Sequence, residues 1–278
     1  MTVRSYGLWW GTIEGATLPE LAEVAGAAGF GAISVTPAMY FDALEGRSDA
    51  QLREMLAVAD VTVAIIDPLI RGLPGAPDPA SMARRFRATF EYGEDDAFRA
   101  AEALGATAVN IAHYMGSPTP LDELSASIRD IARRAADRGL RIFVEFMPEG
   151  GIGDLAAAAE IVARVDAPNV AVMLDTWHFF RTAGELAQLE QLPPGAIGAV
   201  QVGDAAAETW GIGSRATSAD RLLPGAGVVP IGDIVAIARR NNPSVIVGIE
   251  VFNRTSSDLP ALTRATAAAA AMRTSLAH

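Results

Sequence analysis

The chain of 278 residues contains no cysteine and no lysine. Without cysteine there are no disulfides, thiolate nucleophiles, thiolate-bound zinc sites or iron–sulfur clusters. All 22 basic residues are arginine. Schiff-base aldolases and pyridoxal-phosphate enzymes need a lysine amine, so these two classes of enzyme are also excluded. The two absences leave a narrow range of possible chemistry.

Long apolar runs and a basic surface are missing as well. No apolar run reaches the length of a membrane span, and the first residues, MTVRSYGLWWG, lack the apolar stretch of a signal peptide. The net charge of −11 disfavours nucleic acid, because its phosphates would be repelled. We therefore expect a cytoplasmic protein that binds a small molecule and neither nucleic acid nor a membrane. A homo-oligomer is compatible with this composition.

The composition is that of a globular protein, with 50% hydrophobic and 20% charged residues. This length is enough for one large core or two modest ones. No linker, low-complexity tract or block of charge divides the chain. We therefore expect residues 1–278 to form a single domain.

Apolar runs rich in β-branched residues alternate with amphipathic stretches rich in alanine and leucine. Several of these stretches begin with helix-start signals, such as Thr17–Glu20, Ser48–Gln51 and Thr119–Asp122. Eight strand–helix units in about 250 residues predict a closed (β/α)₈ TIM barrel, and the phosphate-binding turn of a doubly wound sheet is missing. The predicted strands are Ser5–Trp9, Gly31–Thr36, Val61–Ile66, Ala108–Ala112, Arg141–Phe146, Val170–Asp175, Ile197–Val202 and Val245–Val251.

The last four predicted strands each carry one polar residue near the carboxyl end, where a TIM barrel holds its catalytic groups. These residues are Glu145, Asp175, Gln201 and Glu250. A polar residue in an apolar run costs free energy unless it is paired or binds a metal, and three close carboxylates need a cation between them. The four residues therefore predict a divalent metal site. Oxygen ligands favour Mn²⁺ first, with Mg²⁺ or Co²⁺ as alternatives, over zinc.

Two segments carry a resemblance to a known family. "LDTWH" (residues 174–178) and "PGAGVVPIGDI" (residues 224–234) resemble an Asp-x-x-His segment and a Gly-x-Gly turn of the sugar phosphate isomerase/epimerase superfamily, the xylose-isomerase-like TIM barrels. The resemblance covers essentially the whole chain. It implies that Asp175 is a metal ligand and that His178 contacts the substrate.

The chain departs from the pattern of that superfamily at several positions. Gln201 stands where most members have histidine, although some 3-dehydroshikimate dehydratases carry glutamine there. Met147 replaces a histidine that is frequent in those dehydratases and in inosose dehydratases. The catalytic lysine of xylose isomerases is missing, and three histidines are too few for the multi-zinc cluster of the DNA-repair endonucleases with this fold.

Four further residues are candidates for substrate binding. His113 follows strand four and either contacts the substrate or is packed inside the protein. Trp177 belongs to a group of aromatic residues near strand ends that suggests a partly apolar wall. Arg215 and Arg221 lie in a Gly-rich loop, residues 204–228, that we interpret as a lid. Either arginine could clamp a carboxylate or phosphate of the substrate, or pair with a nearby acidic residue of the loop.

These features favour a metal-dependent isomerase or epimerase acting on a small hydroxy-carbonyl compound, such as a sugar or cyclitol. Glu145 and Glu250 would exchange a proton with the substrate through an enediolate, and His178 would donate a hydrogen bond and carry a proton near pH 7. A lyase or dehydratase could use the same site and expel a β-leaving group instead. A third possibility is a non-catalytic subunit that keeps the barrel and the metal.

Overall fold

The structure is a computed structural model that describes residues 3–148, 150–211 and 216–277. Within these residues eight parallel strands pair in chain order and close into a barrel through the pairing of the last strand with the first. The predicted (β/α)₈ TIM barrel is therefore confirmed. The strands are β1 Gly7–Leu8, β2 Ala32–Val35, β3 Thr62–Leu69, β4 Ala108–Ala112, β5 Arg141–Glu145, β6 Val170–Asp175, β7 Ile197–Val202 and β8 Ile246–Ile249.

Helices connect the strands and cover the outside of the barrel. They are α1 Leu18–Ala28, α2 Pro37–Leu44, α3 Asp49–Ala59, α4 Arg84–Glu91, α5 Glu94–Leu104, α6 Leu121–Ala136, α7 Leu155–Val165, α8 Thr176–Arg181, α9 Leu186–Glu190, α10 Ile231–Asn241 and α11 Ala261–Ser275. The structure contains no described helix that is both long enough and apolar enough to cross a membrane.

Two of the three helix-start signals form capping hydrogen bonds in the structure. The Thr17 hydroxyl accepts a hydrogen bond from the Glu20 amide, and Ser48 forms a full capping box with Gln51. The third prediction is wrong in register. Pro120 stands at the N-cap of α6 instead of the first helical position, and the Thr119 hydroxyl lies against the carbonyls of Ser117 and Pro74.

The lower half of the barrel interior is filled by an apolar plug, which comprises Trp9, Ile65, Ala108, Phe143, Ala171, Met173 and Ala199. Trp9 fits there because β1 and β8 supply glycine on either side. A Cβ atom at Gly7 or Gly248 would lie only 2.1 Å from the nearest atom of the Trp9 ring. Since the plug occupies the interior below, the polar side chains at the carboxyl ends of the strands form the layer above it.

Candidate metal centre

The carboxyl ends of the strands bring the four predicted metal ligands into one buried layer. Glu145 ends β5, and Asp175 ends β6 in register with Gln201 of β7. Glu250 follows β8 directly. All four side chains are buried, with exposed fractions of 5% or less. The strand pattern in the sequence therefore located these residues correctly, while their role as ligands stays a prediction.

His178 lies directly beside this layer of carboxylates. Asp175 is the N-cap of α8, and its Oδ1 accepts a hydrogen bond from the His178 amide at 2.9 Å. The turn brings the His178 ring back to the carboxylates, with Nε2 at 3.7 Å from Glu145 Oε1. One ligand atom each from Glu145, Asp175 and His178 lies within 4.8 Å of the other two. An imidazole is therefore available beside the oxygen ligands.

Two buried polar residues of this layer, Asp67 and Asn110, were missed by the sequence analysis. The Asn110 Nδ2 donates to Asp67 Oδ1 at 2.8 Å and to Glu145 Oε2 at 2.6 Å. The Gln201 Nε2 donates to Asp67 Oδ2 at 3.2 Å. The signal was present, because "AIIDPLI" in β3 and "AVNIA" in β4 each hold one polar residue in an apolar run. Applied to every predicted strand, the same criterion would have found Asn110, whereas Asp67 lies one residue beyond the predicted strand Val61–Ile66.

Arg221 is the cation of the site. Its guanidinium is buried, and Nη1 donates to Asp175 Oδ2 at 2.5 Å and lies 3.5 Å from Glu250 Oε2. Its Nη2 lies 3.3 Å from His178 Nε2. The acidic residues of its own loop are not its partners: Asp220, for example, pairs with Arg254. Arg221 therefore lies beside three candidate site residues, while its role in binding the substrate stays a prediction.

The charges of this layer do not balance. Asp67, Glu145, Asp175 and Glu250 surround one guanidinium. Burial, followed by the negative charges of Asp67, Glu250 and Asp175, raises the pKa of Glu145 well above its usual value. Burial also raises the pKa of Glu250 well above its usual value, against the effect of Arg221, and raises the pKa of Asp67 to about 6. Burial raises the pKa of Asp175, but the charge and hydrogen bond of Arg221, together with the contributions of His178, outweigh burial and lower that pKa.

These observations fit a divalent cation. Such an ion would offset the excess of buried carboxylates. In addition, Gln201 Oε1 and Asn110 Oδ1 are buried without a hydrogen-bond partner among the described residues. A buried acceptor oxygen without a hydrogen-bond donor costs free energy, and a cation that binds to the oxygen removes that cost.

A cavity of about 320 Å³ lies directly above the carboxylates. Its floor includes Asp67, Glu145, Gln201, Arg221 and Glu250. Its walls are largely apolar, with Trp10, Pro68, Ile70, Tyr114, Met147 and Phe252. The cavity therefore suits a small polar molecule with one less polar face.

Trp177 does not line this cavity, so the sequence analysis chose the wrong aromatic residue for the wall. Its ring is 1% exposed and lies behind the site. The guanidiniums of Arg221 and Arg181 lie over the ring, at 5.3 and 5.4 Å from its centroid. Trp177 supports Arg221 by a cation–π contact, and the aromatic wall comes from Trp10, Tyr114 and Phe252 instead.

His113 is likewise placed outside the cavity lining, and both of its ring nitrogens are occupied by the backbone. Nδ1 accepts the Gly151 amide at 2.9 Å, so Nε2 carries the hydrogen and donates to the Pro74 carbonyl at 2.8 Å. The glycines at 75, 116 and 151 pack so closely that a Cβ atom on any of them would crowd the ring. His113 therefore joins the loops after β3, β4 and β5, which corresponds to the packed alternative of the sequence analysis.

The second half of the loop at 204–228 is attached to the barrel by Asp204, while Arg215 lies outside the described residues. The buried Asp204 carboxylate accepts four backbone amides, from Ala205, Gly225, Gly227 and Val229, at 2.8–3.0 Å. The Asp204 and Leu222 backbones also pair at 2.9 and 2.8 Å. These bonds hold the segment that carries Arg221, so this half of the loop is a fixed support instead of a lid.

Asp204→Ala is expected to lower the free energy of unfolding by at least about 3 kcal/mol, because several buried N–H groups lose a charged acceptor. Urea denaturation followed by circular dichroism measures the change. Asp220→Ala in the same loop is the matched control, because the Asp220 side chain is 38% exposed, and its effect should stay within about 1 kcal/mol. Equal effects of the two variants would contradict the anchoring role.

A closed barrel with this polar layer at the carboxyl ends of its strands belongs to a recognisable class of proteins. The chain is a member of the xylose isomerase-like TIM barrel family, whose family model matches residues 21–276. Among solved structures, an IolI protein with a bound zinc atom superimposes with a TM-score of 0.83 at 19% identity and covers 100% of this chain and 98% of its own. That similarity shows the common fold.

Two relatives carry names of activities. The chain is 25% identical over 159 residues to the inosose isomerase of Halalkalibacterium halodurans, which is 53% of this chain and 55% of that relative. It is 27% identical over 245 residues to the 3-dehydroshikimate dehydratase of Pseudomonas aeruginosa, which is 85% of this chain and 36% of that relative. The matches thus span about half and about a third of the length of these curated relatives.

Proposed function

We propose that this protein is a divalent-metal-dependent isomerase or epimerase that acts on a small hydroxy-carbonyl compound of the sugar or cyclitol type. The observation that carries the proposal is the buried layer of four carboxylates and one guanidinium, of which Asp67, Glu145, Glu250 and Arg221 line a cavity of about 320 Å³. The similarity to an inosose isomerase supports the same class of reaction.

In this proposal Glu145, Asp175, Gln201 and Glu250 hold the metal. When bound, the ion polarises a carbonyl and its neighbouring hydroxyl and so acidifies the adjacent C–H bond. Oxygen ligands favour Mn²⁺, or alternatively Mg²⁺ or Co²⁺. The nearby His178 imidazole is the feature that would favour zinc, and titration of the metal-free protein with each ion would decide between them.

The proton is moved by carboxyl groups of the chain. Glu145 and Glu250 both line the cavity, so each carboxylate is placed to take a proton from a bound substrate or to return one to it. One carboxylate takes the proton from the substrate carbon. The other carboxylate returns a proton, in an isomerisation to the neighbouring carbon and in an epimerisation to the opposite face of the same carbon. Arg221, fixed beside Asp175 and Glu250, stabilises negative charge on the substrate oxygens.

His178 is assigned a hydrogen-bonding role toward a substrate oxygen. Burial, with a contribution from Arg221, lowers the pKa of His178 to about 4, so the imidazole is neutral at pH 7. The proton-carrying role near pH 7 that the sequence suggested is therefore not part of the proposal. His178 lines the cavity together with Glu145 and Arg221.

His178→Asn is expected to lower turnover by about 10²-fold, as for the loss of one hydrogen-bond donor toward a developing charge, and to leave metal binding and the fold intact. Because the imidazole is already neutral, the pH profile of turnover from pH 5.5 to 9 should keep its shape in the variant. Steady-state kinetics over this range is the measurement. Loss of an inflection near pH 6.5 in the variant would assign the histidine a titrating role and contradict the expectation.

A dehydratase is the second candidate, and the match to a 3-dehydroshikimate dehydratase over 85% of this chain favours it. Both reactions begin with removal of a proton beside a carbonyl and differ in what the enediolate does next. Met147, at the cavity wall, provides no acid for a leaving hydroxyl, which favours isomerisation.

The test is to incubate the purified protein and Mn²⁺ with a panel of keto-sugars, keto-cyclitols and 3-dehydroshikimate. An isomerase gives an isomeric product of unchanged mass, whereas a dehydratase gives a product that has lost water. Mass spectrometry and nuclear magnetic resonance separate these outcomes. Metal binding without turnover of any compound would favour the non-catalytic metal-binding subunit instead.

A further inference from the structure

Asp67 is a buried carboxylate for which the proposed reaction has no role. Its side chain is 3% exposed and belongs to β3. Both oxygens are occupied: Oδ1 accepts from Asn110 Nδ2 at 2.8 Å, and Oδ2 accepts from Gln201 Nε2 at 3.2 Å. The carboxylate thus contacts one proposed metal ligand directly.

The contact determines which end of the Gln201 amide faces the centre of the site. A carboxylate accepts hydrogen bonds but donates none, so it binds the NH₂ end of an amide and rejects the oxygen end. With Nε2 bound to Asp67, the amide oxygen points elsewhere, and Oε1 is buried without a partner in the described part of the chain. Only the oxygen end of an amide can bind a cation.

We propose that Asp67 is a positioning residue that fixes Gln201 with its oxygen available to the metal. The inference rests on the proposed function, because it assigns Gln201 as a ligand. A histidine ligand needs an equivalent outer partner to fix its ring, and such partners affect metal affinity by about 10–100-fold. Here a carboxylate performs that task for an amide.

Asn110 extends the same arrangement to a second ligand. Its Nδ2 donates to Asp67 Oδ1 and also to Glu145 Oε2, at 2.6 Å. The Asp67 carboxylate therefore fixes the Asn110 amide, which in turn orients the Glu145 carboxylate. Ligands on β5 and β7 are held through one acidic side chain on β3.

A double-mutant cycle separates positioning from simple charge. The variants are Asp67→Asn, Gln201→Ala and their combination, and the measurement is calorimetric titration of the metal-free proteins with Mn²⁺. Asp67→Asn should weaken Mn²⁺ binding by about 10–100-fold in the wild-type background. Since part of this loss acts through Gln201, the same change should cost markedly less in the Gln201→Ala background. An equal loss of Mn²⁺ affinity in both backgrounds would mean that Asp67 acts through its charge and does not position Gln201. This result would overturn the proposal.

Asp67→Glu is the second variant, and it keeps the charge but moves the acceptor by one methylene. Positioning predicts weaker Mn²⁺ binding in this variant, whereas a charge effect predicts no change. Circular dichroism checks that each variant is folded.

A metal-free measurement distinguishes failure of this inference from failure of the proposed function. With ¹⁵N-labelled glutamine, the Gln201 side-chain NH₂ signal, assigned by its loss in Gln201→Ala, should be protected from hydrogen exchange in the wild-type protein and less protected in Asp67→Ala, which removes the acceptor altogether. Protection that persists unchanged in Asp67→Ala would overturn the inference even if Mn²⁺ binds. Protection lost as expected, in a protein that binds no Mn²⁺, would leave the contact standing and instead overturn the proposed metal function and the positioning role that depends on it.

Discussion

Glu250→Gln is expected to lower turnover by about 10³-fold while Mn²⁺ remains bound. The amide keeps an oxygen for the metal but cannot accept the proton of a C–H bond, and a positioned base contributes about 10²–10⁴-fold to a rate. Calorimetry measures the retained binding of Mn²⁺, and steady-state kinetics measures the loss. Glu145→Gln is the matched variant on the other side of the site, and its effect should be of similar size.

Isotope exchange identifies the step that is lost. In D₂O the wild-type protein should introduce deuterium beside the carbonyl of the substrate, and Glu250→Gln should lose this exchange. If exchange survives in Glu250→Gln and in Glu145→Gln alike, neither carboxylate is the base, and the proposed proton transfer is wrong.

Removal of the metal with a chelator is expected to abolish turnover and to change how stability depends on pH. Without a cation, the folded state raises the pKa of Asp67 from 3.8 to about 6 and raises the pKa of Glu145 and Glu250. The folded protein then binds more protons at these sites than the unfolded chain, so their contribution to stability falls as pH rises from about 4 through 6. The lowered pKa of His178 acts in the opposite direction over the same range, but it is one group against three.

The chelated protein should therefore be more stable at pH 5.5 than at pH 7.5. Mn²⁺ requires the charged carboxylates, so the loaded protein should show the reverse order. At a free Mn²⁺ concentration of about 100 times its Kd, binding adds about 2.7 kcal/mol. Thermal denaturation at both pH values checks this, and Asp67→Asn, without one of the three raised groups, should show a smaller pH effect when chelated. A chelated wild-type protein that gains stability from pH 5.5 to 7.5 would contradict the electrostatics described above.

The sequence predicted the strands best where an apolar run ends at a clear boundary. β4, β6 and β7 match their predicted ranges at both ends. β1 was predicted as Ser5–Trp9 but comprises only Gly7–Leu8, because Val3–Ser5 forms a 3₁₀ turn and Trp9 turns inward to fill the barrel. Such a shift depends on the space left by other strands, which a local pattern does not contain.

The site was predictable where each residue marks its own strand end, as for Glu145 and Asp175. It was not predictable where a role depends on distant segments. The sequence could not decide whether His113 contacts the substrate or is packed, because its ring is enclosed by glycines of three separate loops. Arg221 is fully enclosed although it belongs to a loop, because Asp204 fixes the backbone around it. Neither arrangement leaves a periodic signal in the sequence.

Among the described residues, the apolar plug closes the barrel interior on the side away from the carboxylates. Trp9 and Phe143 close the bottom, and the glycines at 7, 198 and 248 leave the two rings the room to do so. In the described part of the chain, the plug blocks the barrel interior below the carboxylates, so a molecule bound to them leaves through the cavity above. Product and incoming substrate therefore share that cavity, and each cycle has to end with departure of the product before another can begin.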